Sequence, residues 1–564
     1  MQKIILVVWL GFAGSRRHLK AFRLPGSSCT ENGRCTERID SSSGNSLPRK
    51  ALTSILLGFN QAGALNPCSS RPLRSLGGYS GKRPRQVCMQ SSEGTQIAIV
   101  GTGMAALMCT RSLARLVRGD VECPPGLRNA RITLCTSRGK LATQMGPKNQ
   151  AIPKPGKPFF DYGCQYFTVT DPWLLEDVEH WHGLGYLSVL EDGQVGMLSE
   201  TDGFSPVTGE KCWVGNGGMG PFLTNIIDDT VKEFSGIVKH VPGFPNSKMA
   251  VKKLTKTPEG WQLGTKGGNK IGPFDFVIGG FAQHLLTDPL LLSGGQACQK
   301  MLQCLRRVES NQIIPIQVSF EGDPLPAKFT TAHVYGEDCL SLISNNCKKP
   351  QQSGEMGTPG PQHWTLMSTA EFAEREFNTN TNGYRRIAEE RMFEAMSRLL
   401  GVPDIYKHKP NINRINHWED GLAAKTPPNS QGCLFDADVG LGWCGDFCTL
   451  PGVQGAALSG KAMATTLSKF IENSEDFDPE GLLPADEEWI PFQPQGATMV
   501  DIGSFSDKLG LKPSWTHTDL VPSAINGYDP ETKKGAAGRA LKNKGGSKGR
   551  GGGKSKRSSA GRGR

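Results

Sequence analysis

The stretch TQIAIVGTGMAALMCTRSLARL, residues 95–116, constrains the fold more than any other part of the chain. Four apolar residues, Ile97 to Val100, run directly into a glycine, the pattern of a strand buried on both faces. Apolar residues then recur at Met104, Leu107, Met108 and Leu113 with helical spacing. The local order is therefore strand, turn, helix. The turn holds Gly101 and Gly103, with Ala106 in the third place of a G-x-G-x-x-G/A fingerprint. The first glycine permits a tight turn, the second lets backbone N–H groups approach a pyrophosphate, and the small third residue lets helix and strand pack closely. The helix start adds positive potential for the phosphates. The next strand, in ARITLCTSRG, puts Cys135 where the fingerprint has an Asp or Glu to hold the adenosine ribose. That change removes charge-assisted hydrogen bonds of about 1.5–3 kcal/mol each.

The 564 residues allow two to four domains with a substantial core, and the formal charge of +11 raises a nucleic-acid reading. The location of the charge weakens it. Residues 1–92 carry 14 Lys/Arg against three acids, and residues 532–564 carry 12 against none, which leaves 38 bases and 50 acids in the body. An acidic body with basic ends is not a nucleic-acid-binding domain throughout. The 16 cysteines are scattered without a C-x-x-C pair, so neither a zinc site nor a disulfide-stapled scaffold is expected, and no metal site is assigned. Isolated cysteines such as Cys109 and Cys298 read as small buried apolar residues, while Cys444 and Cys448 flank Asp446.

The N-terminus, MQKIILVVWLGFAGSRRHLK, has a ten-residue apolar run, too short to span a bilayer and typical of a signal peptide core. Residues up to 92 are rich in Ser, Arg and Pro and resemble a transit peptide. Signal plus transit stretch is the address of a plastid with extra membranes; ordinary secretion and a misplaced start codon are the alternatives. No transmembrane helix is expected in the mature protein. Residues 532–564 are Gly-rich and basic, expected to be disordered, and able to attract RNA, an acidic protein or anionic lipid without sequence specificity.

Further motifs make the chain recognisable. FFDYGCQYFTVTDP (159–172), WVGNGGMGPFLTNI (213–226), the strand pair VKKLTKTPEGWQLGTKGG, FDFVIGGFAQH, INHWEDGLAAKTP (415–427) and CGDFCTLPGVQGAALSGKAMA (444–464) follow one another in order. With the first turn, they resemble the renalase-like branch of the flavin-containing amine oxidoreductases. The last is similar to that family's second flavin fingerprint, G-D-x(5)-G-x-x-G-A-x-x-S-G. The resemblance implies an α/β fold with a discontinuous, three-layer, Rossmann-like FAD-binding domain at 93–166, 211–286 and 411–475. It implies a mixed-sheet α+β substrate domain at 167–210 and 287–410, with an extension at 476–531 before the tail.

The resemblance further implies non-covalent FAD held by Gly101, Gly103, Met104, Ala105, Ala106, Cys135, Ser137, Arg138, Val251, Gly445, Asp446, Gly452, Val453, Gln454, Gly455 and Ala456. Asp446 would bond a ribityl hydroxyl or approach the pyrophosphate, and the helix starting at Gly452 would meet the isoalloxazine pyrimidine edge. The sequence departs from the family at Cys135, at Leu141, Ala142 and Thr143 in place of G-G-R, and at His417 in place of an arginine. A flavin performs hydride transfer itself, so no nucleophile is required and no catalytic residue is assigned. Gln165, Tyr166, His417 and Trp418 are the candidates near the reacting face. For each there is a structural alternative: core packing for Tyr166 and Trp418, a hydrogen-bonding role for His417. Asp161 either holds its loop or touches the cofactor's surroundings. The implied activity is oxidation of a small reduced substrate, an amine or a nicotinamide-type compound such as NAD(P)H, with oxygen or another acceptor reoxidising the flavin. The alternative is a degenerate, non-catalytic scaffold that acts through its tails.

Overall fold

A computed structural model of the chain describes residues 94–136, 160–243, 248–281, 284–349, 361–428, 431–479, 481–484 and 487–491. The expected presequence and basic tail lie outside these residues, as do Ser137, Arg138 and the positions that depart from G-G-R. The described part is a mixed α/β structure with several sheets. Its first sheet is built from β1 (Gln96–Val100), β2 (Arg131–Cys135), β3 (Val238–Val241), β4 (Phe276–Gly279), β5 (Leu434–Asp436) and β6 (Leu441–Trp443). The order across the sheet is β5-β6-β4-β1-β2-β3, and every neighbouring pair is parallel except β5 with β6.

Alternation of side chains gives this sheet two buried faces. Ile97 and Ile99 of β1 join one core, together with α1 (Met104–Arg118), α2 (Met219–Glu233) and α3 (Val453–Glu472). Ala98 and Val100 join the other, under an antiparallel three-stranded sheet (Val251–Thr257, Gly260–Thr265, Lys270–Phe274) and the helices His284–Leu292 and Gln299–Leu305. Three layers result. A buried ion network ties the helices of the first core. Arg111 of α1 reaches Asp177 of helix Pro172–Gly183 and both Asp229 and Glu233 of α2, at 2.8–3.4 Å.

The second large sheet has seven strands in the order Pro410–Ile415, Pro315–Phe320, Gln362–Met367, Leu342–Asn345, Thr331–Val334, Val195–Ser199 and Gly203–Pro206. Ile316, Val318 and Phe320 lie with Trp364, Leu366 and Ile343 in an apolar core shared with helices Ala370–Thr379 and Tyr384–Leu399. Successive residues point oppositely, so Gln317 and Ser319 lie on the other face with Thr365, His363, Ser344 and Thr331. That face is polar and yet buried.

The expected domain boundaries shift accordingly. Residues 411–423 were expected with the cofactor domain, but Pro410–Ile415 pairs with Pro315–Phe320 and Trp418–Ala423 pairs with Ser310–Ile313. Helix Pro172–Gly183, expected in the substrate domain, places Leu174, Val178 and Trp181 in the first core, and helix Gln299–Leu305 covers the first sheet. Their apolar faces are satisfied only there.

Candidate functional site

Because β1, β4 and β6 are adjacent and parallel, the loops that follow them leave from one edge of the sheet. The loops are stitched across it. Gly101 N donates to Cys135 O (3.0 Å), Gly280 N to Val100 O (2.9 Å) and Cys444 N to Gly279 O (2.8 Å). The chain leaves β1 toward β2 and β3 and returns to β4 on the other side, so a topological switch point opens beyond β1 and β4.

Two long helices begin at this edge with glycine N-caps, Gly103 for α1 and Gly452 for α3, and neither has a side-chain cap or an acid at its first helical positions. Ser, Thr, Asp or Asn would cap better than glycine, by about a few tenths of a kcal/mol. The glycines are not equivalent. A Cβ on Gly101 would sit 3.0 Å from Ala106 Cβ and 3.1 Å from Gly280 O, so this glycine and the small Ala106 answer to packing within the chain. A Cβ on Gly103 would meet only Gly280 O, at 3.9 Å, and its φ of −77° is open to any residue. Nothing among the described residues requires Gly103 to be bare. Its effect is to leave the first N–H groups of α1 open to an outside acceptor. Met104, Ala105 and Ala106 turn their side chains into the core and offer only backbone.

At α3 the loop is fastened from within. Asp446 Oδ2 accepts from Gly452 N (3.2 Å), Gly445 N donates to Ser459 Oγ (3.0 Å), and Thr449 Oγ1 donates to Gly455 O (2.6 Å). Burial raises the Asp446 carboxyl pKa, against the pull of the Gly452 and Phe447 N–H groups. Gly455 is demanded by its own loop, since a Cβ would lie 1.7 Å from Leu450 O. The Gln454 side chain is turned to the chain: Oε1 accepts from Thr170 N (2.8 Å) and Asp171 N (2.9 Å). At this turn, then, the backbone and not the side chains of Val453, Gln454 and Ala456 faces the edge. Cys135 is 1% exposed, and burial pushes its thiol up to about 12. It shares an apolar cluster with Val100, Val241 and Val251 and offers no acceptor in place of the ribose acid.

The segment that follows Phe160 bridges the two large sheets. Asp161 is fully buried; Oδ1 accepts from Met219 N at the start of α2 (2.8 Å), and Oδ2 pairs with Lys349 Nζ (2.6 Å). Burial raises the Asp161 pKa, and Lys349 opposes that shift. Lys349 Nζ also donates to Gln165 Oε1 (3.0 Å), and Gln165 Nε2 donates to Asp161 O (2.8 Å) and Gly163 O (2.9 Å). Thr365 Oγ1 donates to Asp161 O (2.9 Å). Both ends of Gln165 are thus occupied in holding the segment. Tyr166, 1% exposed, shares a hydrogen bond of 2.6 Å with His333 Nε2, whose imidazole burial lowers to about 3 and keeps neutral.

Tyr162, His417 and Trp418 gather in an aromatic patch. Trp418 meets Tyr162 edge-on at 4.7 Å, His417 stacks on Phe377 at 3.7 Å and its Nε2 lies 2.7 Å from Gln312 Oε1. The Tyr162 hydroxyl accepts from Asn416 Nδ2, and burial pushes its pKa up to about 12. Sequence reasoning missed Lys349, Thr365, Gln317 and Arg414. Lys349 sits in NNCKKP and gives no signal of burial, whereas the alternation of Gln317 and Ser319 with Ile316, Val318 and Phe320 was readable as a two-faced strand. The cluster Glu337, Asp338 and Cys339 lies away from these features, and its acids pair with Arg398, Arg391 and Arg375. No helix among the described residues is long and apolar enough to cross a membrane.

No family model matches the chain. Among solved structures it is similar to an oxidoreductase from Methanosarcina mazei, at 9% identity and a TM-score of 0.45, over 66% of this chain and 100% of that one. It is similar also to putrescine oxidase bound to putrescine, at 12% identity and a TM-score of 0.41, over 66% of this chain and 99% of that one. A third likeness is to FqzB, at 15% identity and a TM-score of 0.41, over 70% of this chain and 79% of that one. Likenesses this distant carry no argument about cofactor or substrate, which must come from the site itself.

Proposed function

We propose that the chain is an FAD-dependent oxidoreductase of the renalase-like and amine-oxidase type, with a Rossmann-like cofactor domain built on the six-stranded sheet. The observation that carries this reading is the pair of glycine-capped helix starts, Gly103 and Gly452, on loops from one edge of a parallel sheet at its switch point. The residues fit a pyrophosphate at Gly101–Ala106, where backbone N–H groups and helix potential favour an anion. They fit a flavin ring edge at the first turn of α3 for the same reason. Cys135 does not supply the ribose contact, so affinity rests on the phosphate and flavin halves. When bound, flavin accepts a hydride from a small reduced substrate, an amine or a nicotinamide-type compound. The chain contributes position and enclosure. Asp161, Gln165 and Lys349 hold the bridging segment rigid, and Tyr162 and Trp418 present an aromatic wall beside it.

The test is reconstitution of the full chain with FAD, followed by desalting, absorbance and anaerobic addition of amines and NAD(P)H. A retained flavin that acid releases unmodified and that one of these donors bleaches is the expected result. A colourless protein overturns it. Buried Cys135 favours a second reading, a scaffold that keeps the fold without turnover; bound flavin that no donor bleaches would support that reading instead.

A further inference from the structure

We propose that Arg414 and Gln317 form a carboxylate-binding subsite on the polar face of the seven-stranded sheet. Of the substrates proposed above, the subsite then selects an amine that also carries a carboxylate; this second statement rests on the function proposed above, whereas the subsite stands on the side chains alone.

Strands Pro315–Phe320 and Pro410–Ile415 run antiparallel with Gln317 directly opposite Arg414. Directly opposed residues share a face, with Cβ atoms about 4.5–5.5 Å apart. The register shifts immediately beyond this pair, where Val318 faces Ile412 and leaves Asn413 as an extra residue. A bulge of this kind bends the strand and re-aims the neighbouring side chain. The Arg414 guanidinium lies 5.3 Å above the ring of Tyr162, in the segment that bridges the two sheets. Its position is therefore fixed by a π face and not by a counter-charge.

Among the described residues no carboxylate pairs with Arg414, although it is only partly exposed. Arg111 and Arg115, which are also enclosed, behave differently: both reach Asp177. Gln317 adds an independent sign. It is 7% exposed, and its Nε2 is buried with no acceptor. A buried amide donor without a partner is destabilising, so the sheet is less stable for keeping it. Thr365, the next residue in the row, is already committed to Asp161 O. The Tyr162 hydroxyl is taken by Asn416. What remains at this place is a set of donors beside an aromatic plane. A planar group with two acceptor oxygens and one negative charge complements it, because guanidinium and carboxylate bond as a matched fork. An ammonium group would meet the like charge of Arg414.

The experiment is calorimetric titration of the full chain, with and without FAD, using four probes that share one ring: benzoate, benzamide, benzylamine and phenyl phosphate. Benzoate is expected to bind, benzamide at least tenfold more weakly, and benzylamine not at all. Arg414→Met should weaken benzoate at least tenfold, Arg414→Lys should restore part of the loss, and Gln317→Leu should weaken it several-fold. Each variant's thermal midpoint is measured alongside; should Arg414→Met not fold, the four probes on the unaltered chain decide alone. Equal binding of benzylamine, preference for phenyl phosphate, no binding of benzoate, or an unchanged affinity in folded Arg414→Met overturns the subsite. Benzoate bound to a chain that never retains FAD would sink the proposed oxidoreductase and leave the subsite standing.

Discussion

Gly103 separates what the chain needs for itself from what it leaves open. Gly101 is pressed between Ala106 and Gly280, so replacing it harms the fold and any ligand together. Gly103 has an ordinary φ and room for a side chain, so Gly103→Val is expected to leave the thermal midpoint of the flavin-free protein within about 2 °C. The branched side chain would stand where backbone N–H groups meet the pyrophosphate, and retained FAD should fall at least tenfold. Thermal melts and flavin absorbance after desalting check this; a variant that keeps its flavin would show that nothing lies against that turn. The sequence made these glycines legible because the fingerprint is local. It could not show that Gln165 and Gln454 spend their amides on partners within the chain, since those partners are fixed by loops folded against them.

At the scale of elements, the crossing of α1 with α3 joins segments more than 300 residues apart. Gly460 makes it possible: a Cβ there would lie 2.2 Å from Ala105 O and 2.8 Å from Cys109 N. Gly460→Ala should therefore push the helices apart and cost about 1–3 kcal/mol, the usual range for overpacking. Urea unfolding measures it, and a stability unchanged within 0.5 kcal/mol, about the spread of surface substitutions, would contradict the crossing. The first helix was readable from its apolar periodicity and the second from its resemblance to a flavin fingerprint. Their contact was not, because a small residue on a helix face reports close approach without saying to what. The same limit explains helix Pro172–Gly183, whose place in the first core the sequence did not show.

For the whole molecule, the buried pair of Asp161 and Lys349 fastens the bridging segment to both large sheets, through Met219 at the start of α2 and Thr365 in the seven-stranded sheet. With both side chains at or below 1% exposure, removing one partner strands the other. Lys349→Met is expected to cost about 3–5 kcal/mol, and Asp161→Asn with Lys349→Met clearly less than the sum of the single changes. Denaturant unfolding of the four proteins closes the cycle; additive losses would mean that the pair does not couple. By itself the sequence determined the strand, glycine turn and helix at residues 96–118 and the second glycine-rich helix start at Gly452, since backbone preference and apolar period act over a few residues. Only the tertiary structure decided that β1, β4 and β6 lie side by side with both helix starts on one edge, that Lys349 is buried against Asp161, and that Arg414 faces Gln317 with no carboxylate partner among the described residues. Those facts depend on which distant segments share a core, and burial energy is settled by the whole assembly of surfaces.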